Sequence, residues 1–345
     1  MTVTTFSWLH LSDLHLKESI ASPDRDRFAQ MLGSIADTRY REMINPDVIF
    51  FTGDIAFSAL PKQYEQATGY FDRILDACGL TGRRDRLLIV PGNHDVDRSQ
   101  IPKGLHKRWA KGLVDDDENN PTPYGAIEEF FRFETERTVF VVPKFANFAK
   151  FIEGYSPASL IGVGSGRFHY VTTIEKEKQR IVVIGLNSAW LSNEDNEQGR
   201  LLLGEAQVCD ALEEAEDKYP DARLRIALMH HPLYWLAEKD IHRTQPRLAK
   251  RCDLLLRGHL HCPSFSVQAS PDAHYREFAA GASLKAHYQA YNLAQVDLDS
   301  GEGVAAVMLQ HPDLGTAWGK DAFTYGSTPD GKIRFSTRKA LIPGP

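Results

Sequence analysis

Five short polar motifs, nearly all of which directly follow an apolar run, constrain this 345-residue chain more than any other feature. The motifs are Asp13-Leu14-His15, Gly53-Asp54, Gly92-Asn93-His94-Asp95, His230 and Gly258-His259-Leu260-His261. The apolar runs before them predict buried strands at residues 6–9, 48–51, 87–90, 226–229 and 254–256. Because the carboxyl ends of strands in an α/β sheet line one crevice, we expect the five motifs to converge there.

The residue types in these motifs suit a site for two divalent metal ions. Imidazole, carboxylate and amide ligands fit Mn, Fe and Zn, whereas the four scattered cysteines argue against a closed structural zinc site. Two ions ~3.5–4 Å apart need a shared ligand, and Asp54 is the candidate bridge through its two carboxylate oxygens. Such ions lower the pKa of bound water to about 7 and neutralise the charge of a phosphoryl group. The motifs therefore predict hydrolysis of a phosphate ester by metal-bound hydroxide.

Together the motifs resemble the pattern of the calcineurin-like metallophosphoesterase superfamily, which is D-x-H, G-D, G-N-H-D/E, an isolated His and G-H-x-H. The resemblance implies an α/β fold, a four-layer α-β-β-α sandwich of two mixed sheets flanked by helices. It implies metal ligands in three sets: Asp13, His15 and His261 for the first ion, Asp54 as the bridge, and Asn93, His230 and His259 for the second. It also implies that His94 is a catalytic group beside the leaving oxygen and that Asp95 orients it.

Each motif taken alone has a simpler interpretation. Gly53-Asp54 after a strand is typical of a turn, and Asp13 with His15 is as typical of a helix-capping loop as of a site. Independent turns have no reason to occur in this order, so the metal site is the favoured interpretation. His230 and His231 are adjacent, and neighbours at a strand end point to opposite sides. The resemblance favours His230 as the ligand and places His231 at the rim, where it is a candidate substrate contact.

The size and charge of the chain limit the classes of protein to which it can belong. With 42% hydrophobic residues, it fits one large domain with insertions or two small ones, and we expect a domain over residues 1–310 and a C-terminal extension over 311–345. The net charge of −6 gives no overall field that favours nucleic acid or an anionic membrane. The cysteines have no paired spacing, and we expect neither a signal peptide nor a membrane-spanning helix. A cytoplasmic protein with free thiols is expected.

The remaining apolar patterns predict how the elements alternate. Helical spacing predicts crossover helices between the first three strands and a helix over residues 205–219. Further strands are predicted at residues 168–171 and 181–184. Runs at residues 293–298 and 304–309 predict antiparallel strands that close a second sheet.

A helical cap inserted after the third motif, over about residues 97–165, is expected to decide the substrate. It contains an acidic turn at residues 115–121 and aromatic helical stretches. Its basic residues near the third motif are Arg98, Lys103, His106, Lys107, Arg108 and Lys111. Such a run is typical of a solvated helix face, yet it could also hold a second phosphate. Arg98 is a candidate substrate contact, and Arg200 is a weaker one.

Departures from related patterns point to one branch of the superfamily. Gly53-Asp54 is not followed by the acidic residue and the Arg of protein Ser/Thr phosphatases, and Asp95 stands where those enzymes have Glu. The chain is more similar to bacterial phosphodiesterases, including the class III cyclic nucleotide phosphodiesterases, although its cap is longer.

Three functions remain open. The favoured one is a phosphodiesterase that acts on a nucleotide or another small diester with two divalent ions, Mn first and Fe or Zn as alternatives. The second is a metal-dependent DNA or RNA nuclease of the double-strand-break repair type, against which the negative charge and the lack of a basic stripe argue. The third is a non-catalytic module that binds a partner, which the complete ligand set disfavours. A homo-oligomer or a complex with a partner protein is compatible with all three.

Overall fold

Two mixed β-sheets flanked by helices form the fold, as the sequence predicted. The computed structural model describes residues 3–114, 124–162, 165–269, 273–284, 289–310, 317–321 and 330–337. The strands are β1 (Thr5–Leu11), β2 (Val48–Phe51), β3 (Leu87–Ile89), β4 (His169–Lys176), β5 (Gln179–Leu186), β6 (Leu224–Leu228), β7 (Leu254–Arg257), β8 (Ser264–Ala269), β9 (His274–Ala279), β10 (Ala290–Asp297), β11 (Glu302–Gln310), β12 (Trp318–Lys320) and β13 (Lys332–Ser336). The helices are α1 (Ser22–Glu42), α2 (Pro61–Ala77), α3 (Lys103–Val114), α4 (Gly125–Arg132), α5 (Glu134–Phe140), α6 (Val142–Tyr155), α7 (Glu205–Lys218) and α8 (Glu238–Arg251).

The first sheet has the strand order β12-β11-β10-β1-β2-β3, with β13 also paired to β11. β1, β2 and β3 are parallel, whereas β10 runs antiparallel to β1 with His10 opposite Asn292. The prediction that residues 293–298 and 304–309 belong to a second sheet is therefore wrong. They lie in β10 and β11, which extend the first sheet beyond β1. The prediction failed because strand pairing depends on distant parts of the chain, which local periodicity does not encode.

The second sheet has the order β4-β5-β6-β7-β9-β8. Its central strands β5, β6, β7 and β9 are parallel, and the edge strands β4 and β8 are antiparallel to their neighbours. β6 and β7 are buried along nearly their whole length, which explains why they read as continuous apolar runs. Both sheets thus present the carboxyl ends of parallel strands.

Crossover helices connect the parallel strands of the first sheet. α1 buries Phe28, Met31 and Ile35, and α2 buries Phe71 and Ile74. Each of these fully buried side chains stabilises the fold by roughly 1.5–3 kcal/mol relative to exposure. Both helices were predicted from the spacing of these residues.

The segment predicted as a cap is helical in its described part, where it forms α3 to α6. α6 packs on α2 through a stacked pair, Tyr64 and Phe151, with ring centroids 5.3 Å apart. Trp109 of α3 stacks on Phe140 of α5, with ring centroids 4.5 Å apart, and Phe130 of α4 stacks on Trp190, with ring centroids 4.6 Å apart. These aromatic contacts fix the helices against the domain. The acidic turn at residues 115–121 lies outside the described residues.

Two pieces of the predicted C-terminal extension join the first sheet. β12 and β13 both pair antiparallel with β11. Lys320 and Lys332 each form an ion pair with Glu42 of α1 at 2.6 Å, which ties both pieces to that helix. In the part of the chain that the structure describes, no helix combines the length and the apolarity needed to cross a bilayer.

Candidate metal centre

The structure brings the side chains of all five motifs together at the carboxyl ends of five strands. Asp13 and His15 follow β1, Asp54 follows β2 and Asn93 follows β3. His230 follows β6, and the loop after β7 carries His259 and His261. The crevice therefore lies between the ends of two sheets, with three motifs from one sheet and two from the other.

The first group of ligands contains Asp13, His15 and His261. The Nε2 atoms of His15 and His261 are 3.0 Å apart, and Asp13 Oδ1 lies 3.2 Å from His261 Nε2. Asp13 Oδ2 accepts the backbone N–H of His259 at 3.2 Å. Oδ1 is buried and has no hydrogen-bond partner among the residues that the structure describes. One oxygen positions this carboxylate, and the other is directed at the histidine pair.

The second group contains Asn93, His230 and His259. Asn93 Oδ1 lies 3.1 Å from His230 Nε2 and 3.1 Å from His259 Nδ1. His230 Nδ1 donates to the Thr52 carbonyl at 2.6 Å, which leaves Nε2 facing Asn93. This convergent set of nitrogen and oxygen atoms fits a divalent transition ion.

Asp54 lies between the two groups. Its Oδ2 atom is 3.8 Å from His15 Nε2 and 3.3 Å from His230 Nε2. Its Oδ1 atom accepts the backbone N–H of His94 at 2.8 Å. Oδ2 thus lies near one histidine of each ligand group, and the bridging role of Asp54 stays a prediction.

The electrostatics of the centre favour positive charge. Burial opposes ionisation of Asp54, but the neighbouring His230 outweighs it, and the pKa of this carboxyl falls below its ordinary value. Burial likewise opposes the charged form of His230, yet the carboxylates of Asp54 and Asp13 raise its pKa to about 9. Burial, reinforced by His230, lowers the pKa of His259 to about 3 and keeps that ring neutral. Because metal binds ionised carboxylates and neutral rings, binding of an ion would release the proton that Asp54 and Asp13 favour on His230.

The backbone at the ligands has an unusual conformation. Nine non-glycine residues in the described part of the chain have positive φ, and five of them are candidate ligands with φ between 48° and 75°. They are Asp13, His15, Asp54, His259 and His261. Such residues cost about 1–3 kcal/mol each and cluster at functional sites. The rest of the fold must offset this backbone strain. In return, the strained loops hold the candidate ligands in a fixed geometry.

Two motif glycines allow the loops to approach each other. Gly53 has φ 96°, and a Cβ atom there would lie 2.5 Å from His230 Nδ1. A Cβ atom on Gly92 would overlap the Asp54 carboxylate. Any side chain at these positions would displace a candidate ligand.

His94 lies beside the centre. Its Nδ1 atom donates to the Phe57 carbonyl at 2.7 Å, and its ring centroid is 4.6 Å from that of His15. A ring nitrogen of His94 lies within 4.8 Å of ligand atoms of His15 and Asp54. Burial lowers the pKa of His94 below its ordinary value.

Asp95 does not orient His94 in this structure, which corrects the sequence prediction. Its carboxylate accepts backbone N–H groups from Ile55, Ala56 and Gly92 at 3.0–3.2 Å and the Tyr64 hydroxyl at 3.1 Å. Burial, with the nearby Asp54 charge, raises its pKa to about 6. Asp95 therefore joins the second and third motif loops, and the Phe57 carbonyl orients His94.

His231 is fully buried, so the prediction of a substrate contact at the rim is not supported. Its Nδ1 atom lies 3.0 Å from Ser188 Oγ, which also accepts the backbone N–H groups of His230 and His231. The ring centroids of His231 and His259 are 4.6 Å apart. His231 also lies close to the second ligand group, because one of its ring nitrogens is within 4.8 Å of ligand atoms of His230 and His259.

The two candidate arginines lie outside the ligand groups. Arg98 Nη1 pairs with Asp195 Oδ1 at 2.5 Å. Arg200 is exposed and lines a cavity together with residues of α3.

Sequence reasoning missed several residues that support the ligands. The Thr52 and Phe57 carbonyls orient His230 and His94, and they carry no side-chain signal. Ser188 comes from a distant loop, and the Trp235 ring packs edge-on against His259 at 4.0 Å. Of these residues, Thr52 could have been suspected from the sequence, because it stands directly before the Gly53-Asp54 motif.

Asp54→Asn is expected to reduce occupancy of both metal positions, because Oδ2 is the atom that faces both groups. His261→Ala should chiefly empty the first position, since this ring contacts Asp13 and His15. Metal content of the purified variants by plasma mass spectrometry distinguishes the two cases, with His242→Ala, an exposed histidine on α8, as the control. A normal content of about two ions in Asp54→Asn would remove Asp54 from the bridging role.

The sequence profile of the calcineurin-like phosphoesterase family matches residues 6–263. The chain is 24% identical over 337 residues to the uncharacterized metallophosphoesterase-like protein YydB of Bacillus subtilis (strain 168), covering 96% of this chain and 65% of that protein. Over 101 residues it is 32% identical to the cAMP/cGMP dual specificity phosphodiesterase MT0825 of Mycobacterium tuberculosis (strain CDC 1551 / Oshkosh), covering 28% of this chain and 29% of the relative. The chain thus spans less than two thirds of the length of these curated relatives.

Among solved structures, similar chains include a 5'-nucleotidase precursor from Thermus thermophilus, with a TM-score of 0.43 and 15% identity over 85% of this chain and 51% of that one. The purple acid phosphatase PPD1 of yellow lupin (Lupinus luteus) gives a TM-score of 0.48 and 11% identity over 97% of this chain and 54% of that one.

Proposed function

Since this chain belongs to the calcineurin-like phosphoesterase family, we propose that it is a two-metal phosphodiesterase that hydrolyses a nucleotide or another small diester. The observation that carries the proposal is the position of Asp54 Oδ2 between two groups of nitrogen and oxygen ligands. The family assignment supports a hydrolase. The diester preference, the metal pair (Mn, with Fe or Zn as alternatives) and the cytoplasmic location are our proposals.

The residues of the chain divide the reaction between them. Two divalent ions bound to these ligands would supply Lewis acidity and an acidified water for attack at phosphorus. Asp13 and Asp54 stay ionised, and each accepts one backbone N–H group, Asp13 from the ligand His259 and Asp54 from His94. His94, fixed by the Phe57 carbonyl, stands beside the centre and assists departure of the ester oxygen.

Two observations bear on the substrate class. The local similarity to a phosphodiesterase of cAMP and cGMP supports cyclic nucleotides as the first diesters to test. The net charge of −6 weighs against the nuclease alternative, because binding of duplex DNA normally needs several phosphate contacts. A non-catalytic binding module is disfavoured by the complete ligand set.

A metal-supplemented substrate panel tests the proposal. Wild-type protein with Mn²⁺, Fe²⁺ or Zn²⁺ is assayed on cAMP, cGMP, cyclic dinucleotides, bis-p-nitrophenyl phosphate, the monoester p-nitrophenyl phosphate, and single- and double-stranded DNA. We expect diesters to be hydrolysed faster than the monoester and DNA to stay intact, with no activity in Asp54→Asn. A preference for the monoester would contradict a diesterase, and salt-sensitive cleavage of DNA would favour the nuclease.

A further inference from the structure

A cavity of about 430 Å³ lies between α3 and the loop after β5. Its basic lining consists of Lys103, Lys107, Lys111 and Arg200, and its apolar lining includes Leu191 and Leu201. Arg200 and the α3 lysines are far apart in sequence, so the cavity is created by the fold. Ligand pockets in proteins typically measure ~300–1,000 Å³, which places this one within the range for a nucleotide.

Both walls of the cavity follow, along the chain, segments that contact the metal centre. α3 follows the Gly92–Asp95 motif in the chain, and the opposite wall begins at Ser188, which binds His231. The Arg98–Asp195 ion pair joins the two walls. The pKa of Asp195 is lowered first by its hydrogen bond from Arg98 and also by the charges of His94 and Lys103. Asp195 is therefore close enough to interact electrostatically with both His94 and Lys103 of the cavity.

A buried lysine holds the cavity in shape. Lys144 of α6 donates through Nζ to the carbonyls of Trp190 and Ser192 and to His106 Nε2, at 3.0–3.1 Å. Lys144 is fully buried, and burial lowers its pKa to about 7. His106 belongs to α3 and lines the cavity, so this one ammonium group connects α3, α6 and the β5 loop. Because the cavity is already formed, few side chains have to be ordered when a ligand binds, and the entropic cost of binding is small.

The charges of the cavity favour an anion next to an apolar group. Among the residues that the structure describes, Lys103, Lys107 and Arg200 have no carboxylate within 4.0 Å, although the charge of Lys103 acts on Asp195. One Nη atom of Arg98 is buried and also has no hydrogen-bond partner in the described chain. The carboxylates Glu194 and Glu197 line the cavity as well, but burial of Glu197 raises its pKa, and its Oε1 accepts two backbone N–H groups.

We propose that this cavity is a second binding site on the enzyme, which takes the part of the substrate that is not cleaved: a nucleoside with a further phosphate. The apolar lining receives the base, and the lysines and Arg200 bind the phosphate. The inference rests on the proposed function, and it names the substrate class as diesters that carry a second phosphate. Lys107 and Arg108 are neighbours in the sequence, but only Lys107 lines the cavity, whereas Arg108 is exposed elsewhere on α3.

Matched substrates test the site in the metal-loaded, full-length protein. The dinucleotide thymidylyl-thymidine has one diester, and its 5'-phosphorylated form adds the second phosphate. We expect the phosphorylated form to have a KM about tenfold lower, the effect of one charge-assisted hydrogen bond. Lys107→Gln should remove this difference without changing kinetics on bis-p-nitrophenyl phosphate, and Arg108→Gln should leave it intact. Equal KM values for the two dinucleotides in the wild type would overturn the inference.

A second variant and a binding measurement make the test independent of turnover. Ala110→Trp fills the cavity from α3 and should also equalise the two KM values. Titration calorimetry with thymidine 5'-monophosphate should show about tenfold weaker binding to Lys107→Gln than to the wild type or Arg108→Gln. If no diester is cleaved but this binding difference appears, the proposed function fails and the site stands. If diesters are cleaved but Lys107→Gln changes neither KM nor binding, the site is wrong and the function stands.

Discussion

Removal of metal is expected to abolish hydrolysis of bis-p-nitrophenyl phosphate, and added Mn²⁺ is expected to restore it. Every candidate ligand is a nitrogen or oxygen atom, and the centre is built from Asp13, Asp54 and four histidines with Asn93. Such ligands bind borderline transition ions, and the occupancy of the site falls when a chelator lowers the free metal concentration. The assay is the rate before chelation, after chelation and desalting, and after addition of single ions.

The fold should survive this treatment, which makes loss of activity specific to the centre. The ligands lie on loops at strand ends, whereas the cores of both sheets are built from apolar side chains that no metal contacts. Far-ultraviolet circular dichroism should therefore change little on chelation. Full activity in protein shown to be metal-free would contradict the two-metal proposal, and unfolding on chelation would show that the ions are structural.

The sequence predicted the elements that place the ligands because the relevant signals are local. The strand before each motif is an apolar run, and the turn residues after it are part of the motif, so strand ends and ligand positions follow from adjacent residues. The assignment of β10 and β11 failed because β10 pairs with β1, which is nearly the whole chain away, and β11 joins the same sheet through β10. Local periodicity fixes which residues are buried, but it does not choose a pairing edge.

Within the site, the errors concern groups whose contacts come from elsewhere in the chain. The role of Asp95 was assigned from its position next to His94, yet its carboxylate is occupied by Ile55, Ala56, Gly92 and Tyr64. The group that orients His94 is a backbone carbonyl, which any residue at position 57 would present. Contacts made by backbone atoms leave no mark on residue identity, so no sequence pattern could predict them.

His94→Ala is expected to damage hydrolysis of a nucleotide diester much more than hydrolysis of bis-p-nitrophenyl phosphate. A ribose alkoxide needs a proton as it leaves, whereas nitrophenolate does not, and a positioned acid contributes roughly 10²–10⁴-fold. Nδ1 already donates to the Phe57 carbonyl, so only the protonated ring can donate through Nε2. Because burial lowers the pKa of His94, this contribution should shrink as pH rises.

The control for this prediction is metal content, because a ring nitrogen of His94 lies close to His15 and Asp54. His94→Ala should keep both ions, and His242→Ala should behave as the wild type. Loss of an ion in His94→Ala would show that His94 is a ligand. Equal rate losses on the two substrates with both ions present would mean that His94 positions the substrate. A loss confined to the poor leaving group, with full metal content, is the result that only proton donation explains, because neither a missing ion nor a misplaced substrate distinguishes one leaving oxygen from another.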